Sequence, residues 1–183
     1  ITGSNTTIGW LNVRNFPSDG IEVQADDVWL FSNRIGTDWG GIAAMGNKEF
    51  GVRIQGGSRN RVDSNVISAN ALGGIAIFGD TADNNEVTEN IIGAQVGGLI
   101  ALPNAKNGLT ITDGDATFVS NNVISGNTLA GMVLSGSSTG NRVAGNKIGT
   151  KVTGNAALPN GGEGIVIQSS GNQIGGNSVA LRN

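Results

Sequence analysis

One spacing recurs three times along this chain and limits what it can fold into. A glycine follows an isoleucine, a polar loop intervenes, and a second glycine opens an apolar triplet 15 residues on: Gly36 to Gly51, Gly93 to Gly108 and Gly149 to Gly164. The fullest copy runs Asn-Arg-Val-Ala-Gly-Asn-Lys-Ile-Gly-Thr from Asn141, passes Ala157-Leu158-Pro159-Asn160, and ends in Gly164-Ile165-Val166-Ile167. Earlier copies are centred on Asn85 to Gly93 and on Val28 to Gly36. Self-similarity at a fixed period is the mark of a repeat architecture, in which each unit buries its apolar face on its neighbours. No conventional domain boundary is needed, and residues 1–183 are read as one continuous domain.

Alignment on the asparagine three positions after a valine-like residue gives Asn33, Asn65, Asn90, Asn122, Asn146 and Asn177, at spacings of 32, 25, 32, 24 and 31. Leu11 holds the same place in an atypical first turn, so long and short turns alternate over seven in all. Two columns flank the asparagines. Ile8, Leu30, Val62, Val87, Val119, Val143 and Ile174 lie three before it, and Val13, Ile35, Ile67, Ile92, Ile124, Ile148 and Val179 lie two after it. Between and beside them stand Arg61, Asp63, Glu86, Thr88, Arg142 and Lys147, the alternation of a half-buried strand. The Gly-Ile-x-Ile triplets at Gly20, Gly51, Gly74, Gly108, Gly131 and Gly164 supply a further strand per turn. Three short parallel strands per turn with apolar columns inside describe a right-handed parallel β-helix, a β-solenoid of about seven turns. At roughly 4.8 Å per turn it is a rod about 34 Å long, with roughly half its residues in strand.

A buried polar corner costs about 1–3 kcal/mol unless it finds partners. Stacked asparagines find them in each other, each amide donating to the next turn's carbonyl or to the bent backbone. The asparagine column therefore reads as a structural ladder. In the 15-residue loops Met45, Leu102 and Leu158 coincide, as do Asn47, Asn104 and Asn160, which predicts that the loops stack as a ridge.

Composition narrows the chemistry. With 31 glycines, 23 asparagines and 3 prolines, short turns outweigh helix. Eleven basic against fourteen acidic residues, net −3, speak against nucleic acid as a partner. The chain has no histidine and no cysteine, which excludes thiol nucleophiles, disulfides, a Ser-His-Asp triad and histidine acid–base chemistry within it. No run is long enough for a membrane-spanning helix. A chain that opens on Ile1 is expected to be a processed form or a fragment.

The phrases Asn122-Val-Ile-Ser-Gly-Asn127, Gly140-Asn-Arg-Val-Ala-Gly-Asn-Lys-Ile-Gly-Thr150 and Ala157-Leu-Pro-Asn160 resemble the parallel β-helix repeats of large secreted and cell-surface bacterial proteins, in the broad pectate-lyase-like superfamily. The resemblance covers about Ile8 to Val179. It implies the fold, while the superfamily spans polysaccharide lyases, epimerases, phage tailspikes, adhesins and structural modules. Its lyases use calcium held by aspartates beside the triplet sheet and an arginine or lysine base. By that resemblance Asp80, Asp83, Asp113 and Asp115 are candidate calcium ligands, carboxylates suiting a hard cation, with Arg53 outward on a neighbouring turn. The bland reading of Asp113-Gly114-Asp115 is ordinary turn material. Its epimerases depend on a tyrosine and histidine motif, and this chain has neither residue.

Aromatic residues gather near the start of the chain. Trp29 and Phe31 fall in outward columns that are mostly polar in later turns, and Trp10 and Trp39 lie close by. Exposed aromatics are enriched at contact surfaces, which makes Trp10, Trp29 and Phe31 candidate protein contacts, although loops folded over them would explain them too. Neither Ile1–Thr7 nor Asn177–Asn183 reads as a helix or proline-rich cap, so the ends are expected to be uncovered strand edges. The expectation is therefore a non-enzymatic extracellular or cell-surface rod, structural or adhesive, associating head to tail with copies of itself or continuing into more turns. The alternative is a polysaccharide-binding or calcium-dependent, lyase-like protein. No cofactor is expected beyond that calcium.

Overall fold

The structure, a computed structural model, describes residues 1–176 and 182–183. Nineteen short strands are formed among these residues, and the chain visits three sheets in rotation. The first turn gives β1 (Thr7–Gly9), β2 (Asn12–Val13) and β3 (Ile21–Val23); the second gives β4 (Trp29–Phe31), β5 (Arg34–Ile35) and β6 (Val52–Gln55). Then come β7 (Arg61–Asp63), β8 (Val66–Ile67) and β9 (Ile75–Phe78), followed by β10 (Glu86–Thr88), β11 (Ile91–Ile92) and β12 (Leu109–Thr112). The fifth turn holds β13 (Phe118–Ser120), β14 (Val123–Ile124) and β15 (Met132–Ser135). The sixth holds β16 (Arg142–Ala144), β17 (Lys147–Ile148) and β18 (Ile165–Ile167), and β19 (Gln173–Ile174) opens a seventh.

Every pairing is parallel and joins a strand to its counterpart one turn on, so the architecture is a right-handed parallel β-helix. We call the sheets A (from β1), B (from β2) and C (from β3). The register is that of the sequence columns: Ile8 pairs with Leu30, Leu30 with Val62, and Val62 with Val87. Val13, Ile35, Ile67, Ile92, Ile124 and Ile148 form the matching file on sheet B. These files and the inward residues of sheet C make one core running the length of the rod. Strands are two to four residues long, so strand falls short of the half expected. Tight corners and hairpins take the remainder.

Three of those corners are held by stacked side chains. At the corner from A to B the Asn33 amide donates to Asn65 Oδ1, Asn65 to Asn90, Asn90 to Asn122 and Asn122 to Asn146, at 2.9–3.0 Å. Asn177, the expected sixth rung, and Val179 lie outside the described residues. The place beside Asn146 is taken by Asn183, whose Oδ1 accepts the Asn146 amide at 3.0 Å. Between B and C a second, fully engaged ladder runs through Asn47, Asn70, Asn104, Asn127 and Asn160. Between C and A a column of carboxylates and hydroxyls runs with the opposite polarity. Ser4, Asp26, Ser58, Asp83 and Asp115 each accept the backbone N–H of the equivalent residue in the following turn.

Candidate functional site

The outer face of sheet B carries the most distinctive surface. After Gly36, Gly93 and Gly149 the chain leaves the coil in hairpins closed by antiparallel bridges between Thr37 and Ala44, Ala94 and Ala101, and Thr150 and Ala157. The hairpins lean back over the sheet, Gly41 against the Arg34 side chain and Gly154 against that of Lys147. They also join one another, Val96 N–H donating to Gly41 O and Val152 N–H to Gly98 O, both at 2.9 Å. A continuous ridge results, and Trp39, Ile42, Leu99, Ile100 and Val152 are exposed along it.

Opposite the ridge runs the A-to-B corner, whose left-handed residues include Trp10, Ser32, Ser64, Glu89 and Asn121. In the first turns, corner and ridge enclose a pocket of about 330 Å³ lined by Trp10, Ser32, Arg34, Trp39 and Ser64. Trp10 is 68% exposed and Trp39 64%. The Nε of Arg34 is buried without a hydrogen-bond partner. Asp38, at the root of the hairpin, turns its Oδ1 to the N–H groups of Ile42 and Ala43, both at 2.8 Å. Those backbone bonds, Ala43's first, hold its carboxyl below the usual range. A second cavity on the same face, about 420 Å³, lies in the sixth turn beside Lys147, Thr150 and Arg182.

The residues singled out in the sequence divide differently. Asp83 Oδ1 accepts the Asp115 N–H at 3.0 Å, and Asp115 Oδ1 accepts the Thr139 N–H at 2.7 Å. Asp113 Oδ1 takes both the N–H and the hydroxyl of Ser137, while Asp80 is exposed. Among the described residues no three carboxylates come together as a metal site. Arg53 points toward the preceding turn, its Nη2 2.8 Å from Glu22 and its Nε 3.4 Å from Asp19, and so away from the aspartates of the fourth and fifth turns. Burial pushes the Asp19 carboxyl up, against the opposing pull of the Phe50 N–H and Arg53. Trp29 and Phe31 cover each other, ring centres 4.7 Å apart, with the Arg61 guanidinium 5.7 Å from the indole. Trp10 has no such cover.

Sequence reasoning places Trp10 and Trp39 in the early turns without joining them to Arg34. The signal was a tryptophan at a corner where other turns use Ser32, Ser64, Glu89, Asn121 and Gly145.

The family described as "Right handed beta helix region" matches residues 1–148. Among solved structures the chain is similar to the periplasmic alginate epimerase AlgG and to a double mutant of that enzyme. Each is 16% identical with a TM-score of 0.64, and the match covers 91% of this chain and 39% or 38% of theirs. The chain thus spans less than two-fifths of the length of these neighbours, and at that identity the likeness is one of fold. No curated protein matches in sequence.

Proposed function

The chain belongs to the right-handed β-helix family, and from that premise we propose that it works by contact and not by catalysis, as a structural or adhesive β-solenoid outside the cytoplasm. What supports this is the division between side chains that are spent and side chains that are free. Arg53 is paired with Glu22, and Asp83, Asp113 and Asp115 cap backbone N–H groups of the next turn. Trp10 and the ridge of Trp39, Ile42, Leu99, Ile100 and Val152 stand in water. Apolar side chains gathered along one edge mark a contact surface more often than a reaction centre. The chain contains neither the His nor the Tyr on which epimerase chemistry of this superfamily depends. An extracytoplasmic setting accords with the periplasmic location in the neighbours' description.

Two classes of partner belong to this proposal. One is a second copy of the chain stacked along the axis, with Trp10, Trp29 and Phe31 near the joint. The other is a polysaccharide, the class of polymer named for the structural neighbours. Sedimentation velocity over a range of concentrations tests the first, and Trp29→Ala is expected to weaken association; a monomer at every concentration removes that part. The contact reading as a whole is tested by incubating the chain with alginate and pectate and following unsaturated ends and C5 inversion. No turnover is expected, and turnover at an enzymatic rate would replace this function with a catalytic one.

A further inference from the structure

Trp10, Arg34 and Trp39 come from a corner, a strand and a hairpin, and nothing in the packing of the rod requires them to meet. The geometry points to a saccharide-binding cradle, taking one anion-bearing pyranose unit with its ring against the indoles and its carboxylate or sulfate on the guanidinium. The inference rests on the contact reading above and gives that contact a site and a ligand class.

Trp10 is the first reason. It sits at φ 60°, in the left-handed region, which bulky side chains avoid because Cβ crowds the backbone there. The same corner in other turns holds Ser32, Ser64, Glu89, Asn121 and Gly145, so the backbone has no need of an indole there. With the residue 68% exposed, little burial offsets that strain. Strain kept at an exposed residue is a mark of a contact site.

Trp39 is the second. By the repeat offset of the hairpins its equivalents are Val96 and Val152, smaller side chains. Aromatic residues therefore face each other across sheet B only where a basic residue also lies on the floor between them.

Arg34 is the third. Its outward column reads Asn12, Arg34, Val66, Ile91, Val123 and Lys147. The guanidinium makes no ion pair among the described residues and keeps a buried Nε without an acceptor. Asp38, the nearest acid in sequence, has turned an oxygen to its own hairpin. A planar fork left unneutralised suits a carboxylate or sulfate, which it can hold through two parallel bonds.

The ligand must be apolar on its faces and polar on its edges. A purely apolar molecule would strip water from Arg34 without replacing it. An extended peptide would need a free strand edge, whereas β5 is paired on both sides by β2 and β8. A pyranose meets both requirements, C–H faces for the indoles and hydroxyls for Ser32 and Ser64. The volume, about 330 Å³, is at the small end of ligand sites.

Three probes separate the possibilities when titrated by tryptophan fluorescence and calorimetry: oligogalacturonate, a sulfated dextran oligomer and a neutral cello-oligosaccharide. At least one anionic probe is expected to bind about tenfold or more tighter than the neutral one, and which of the two does so distinguishes a carboxylate from a sulfate. Trp10→Asn adopts a residue type suited to the left-handed corner, so its fold is safe, and it is expected to weaken binding about tenfold, as is Trp39→Ala. Arg34→Gln is expected to abolish the preference for charge and leave weak binding of the neutral oligomer. The cradle is overturned if neither anionic probe binds, if the neutral probe binds as well, or if both tryptophan variants bind like the wild type. Turnover of a probe would instead sink the contact reading and leave the cradle in place.

Discussion

The side-chain carbonyl of Asn65 accepts two hydrogen bonds from Asn33, one from the backbone N–H at 2.9 Å and one from the amide at 3.0 Å. Its own amide donates to Leu30 O and to Asn90 Oδ1, so one buried side chain satisfies three turns of backbone and ladder. Replacement by alanine strands the buried N–H of Asn33 and takes one of two acceptors from the Asn33 amide, while Asn90 Oδ1 keeps the backbone N–H of residue 65. Asn65→Ala is expected to cost about 2–4 kcal/mol, since each stranded buried group is worth roughly 1–3. Urea unfolding measures it, and a loss below about 0.5 kcal/mol would show the ladder to be ornamental.

Ile92 lies in the middle of the isoleucine file, fully buried between Ile67 and Ile124. Ile92→Ala leaves a cavity that the coils on either side, fixed by their own ladders, cannot close. The expected loss is about 2–5 kcal/mol in the same unfolding assay. A value near zero would mean that the turns slide together.

Much of this architecture was legible because a parallel β-helix repeats its register. Ile8, Leu30, Val62 and Val87 could be set in one column from spacing alone, and the strand pairs are those columns. The second ladder was half visible: Asn47, Asn104 and Asn160 coincide in the loops, but Asn70 and Asn127 come from intervening turns without a hairpin and supply the alternate rungs. The aspartates were drawn toward a common cation because stacked turns bring like residues near. In the structure the corner uses the carboxylates of Asp83 and Asp115 as N–H acceptors, a role that sequence does not distinguish from metal binding. The pocket was invisible because Trp39 reaches Arg34 only through the way its hairpin folds back, which no column records.

Asp19 gives a pH dependence with a definite sign. Its carboxyl is raised first by burial, while the Phe50 N–H and Arg53 pull it down. A carboxyl raised in the folded state favours folding below its unfolded pKa, about 4, and that contribution is lost as pH rises through the folded value. Asp19→Asn keeps an oxygen for the Phe50 N–H and carries no charge to bury. Relative to wild type, the variant is expected to gain stability between about pH 4 and pH 7. Thermal melts across that range check it, and a difference that is flat or falls with pH contradicts the burial account.

Calcium is expected to have little hold on the aspartates of the fourth and fifth turns. A cation wanting six or more oxygens would have to draw Asp83, Asp113 and Asp115 away from the N–H groups they cap. Chelation with EDTA should leave the melting temperature unchanged, because a ligand that binds only the folded state raises it and its removal lowers it. A rise on adding Ca²⁺ that disappears in Asp113→Ala would establish a site that assembles around the ion.

A gap in a third asparagine column predicts a stabilising substitution. Asn60 accepts the Val28 N–H, Asn85 the Asn60 N–H, Asn141 the Thr117 N–H and Asn172 the Asn141 N–H, each through Oδ1 at 2.8–3.0 Å. The step between Asn85 and Asn141 is Thr117, fully buried, with an Oγ1 that has no partner. Its branched side chain stops short of Asn85, which is left without the side-chain acceptor its equivalents have in the following turn. An asparagine there would accept from Asn85 with Oδ1 and donate with its amide, as Asn141 does to Gly114 O at 3.1 Å. Thr117→Asn exchanges an orphaned buried hydroxyl for a continuous run of five rungs and is expected to raise stability by about 1–2 kcal/mol. The added bulk is the opposing effect, since overpacking a closed corner costs about 1–3 kcal/mol. The equivalent corners already hold asparagine without leaving the fold, so the hydrogen bonds are expected to win. A higher urea midpoint with an unchanged slope is the outcome that supports this, and a lower one would mean that the fifth turn is narrower at Thr117 than its neighbours.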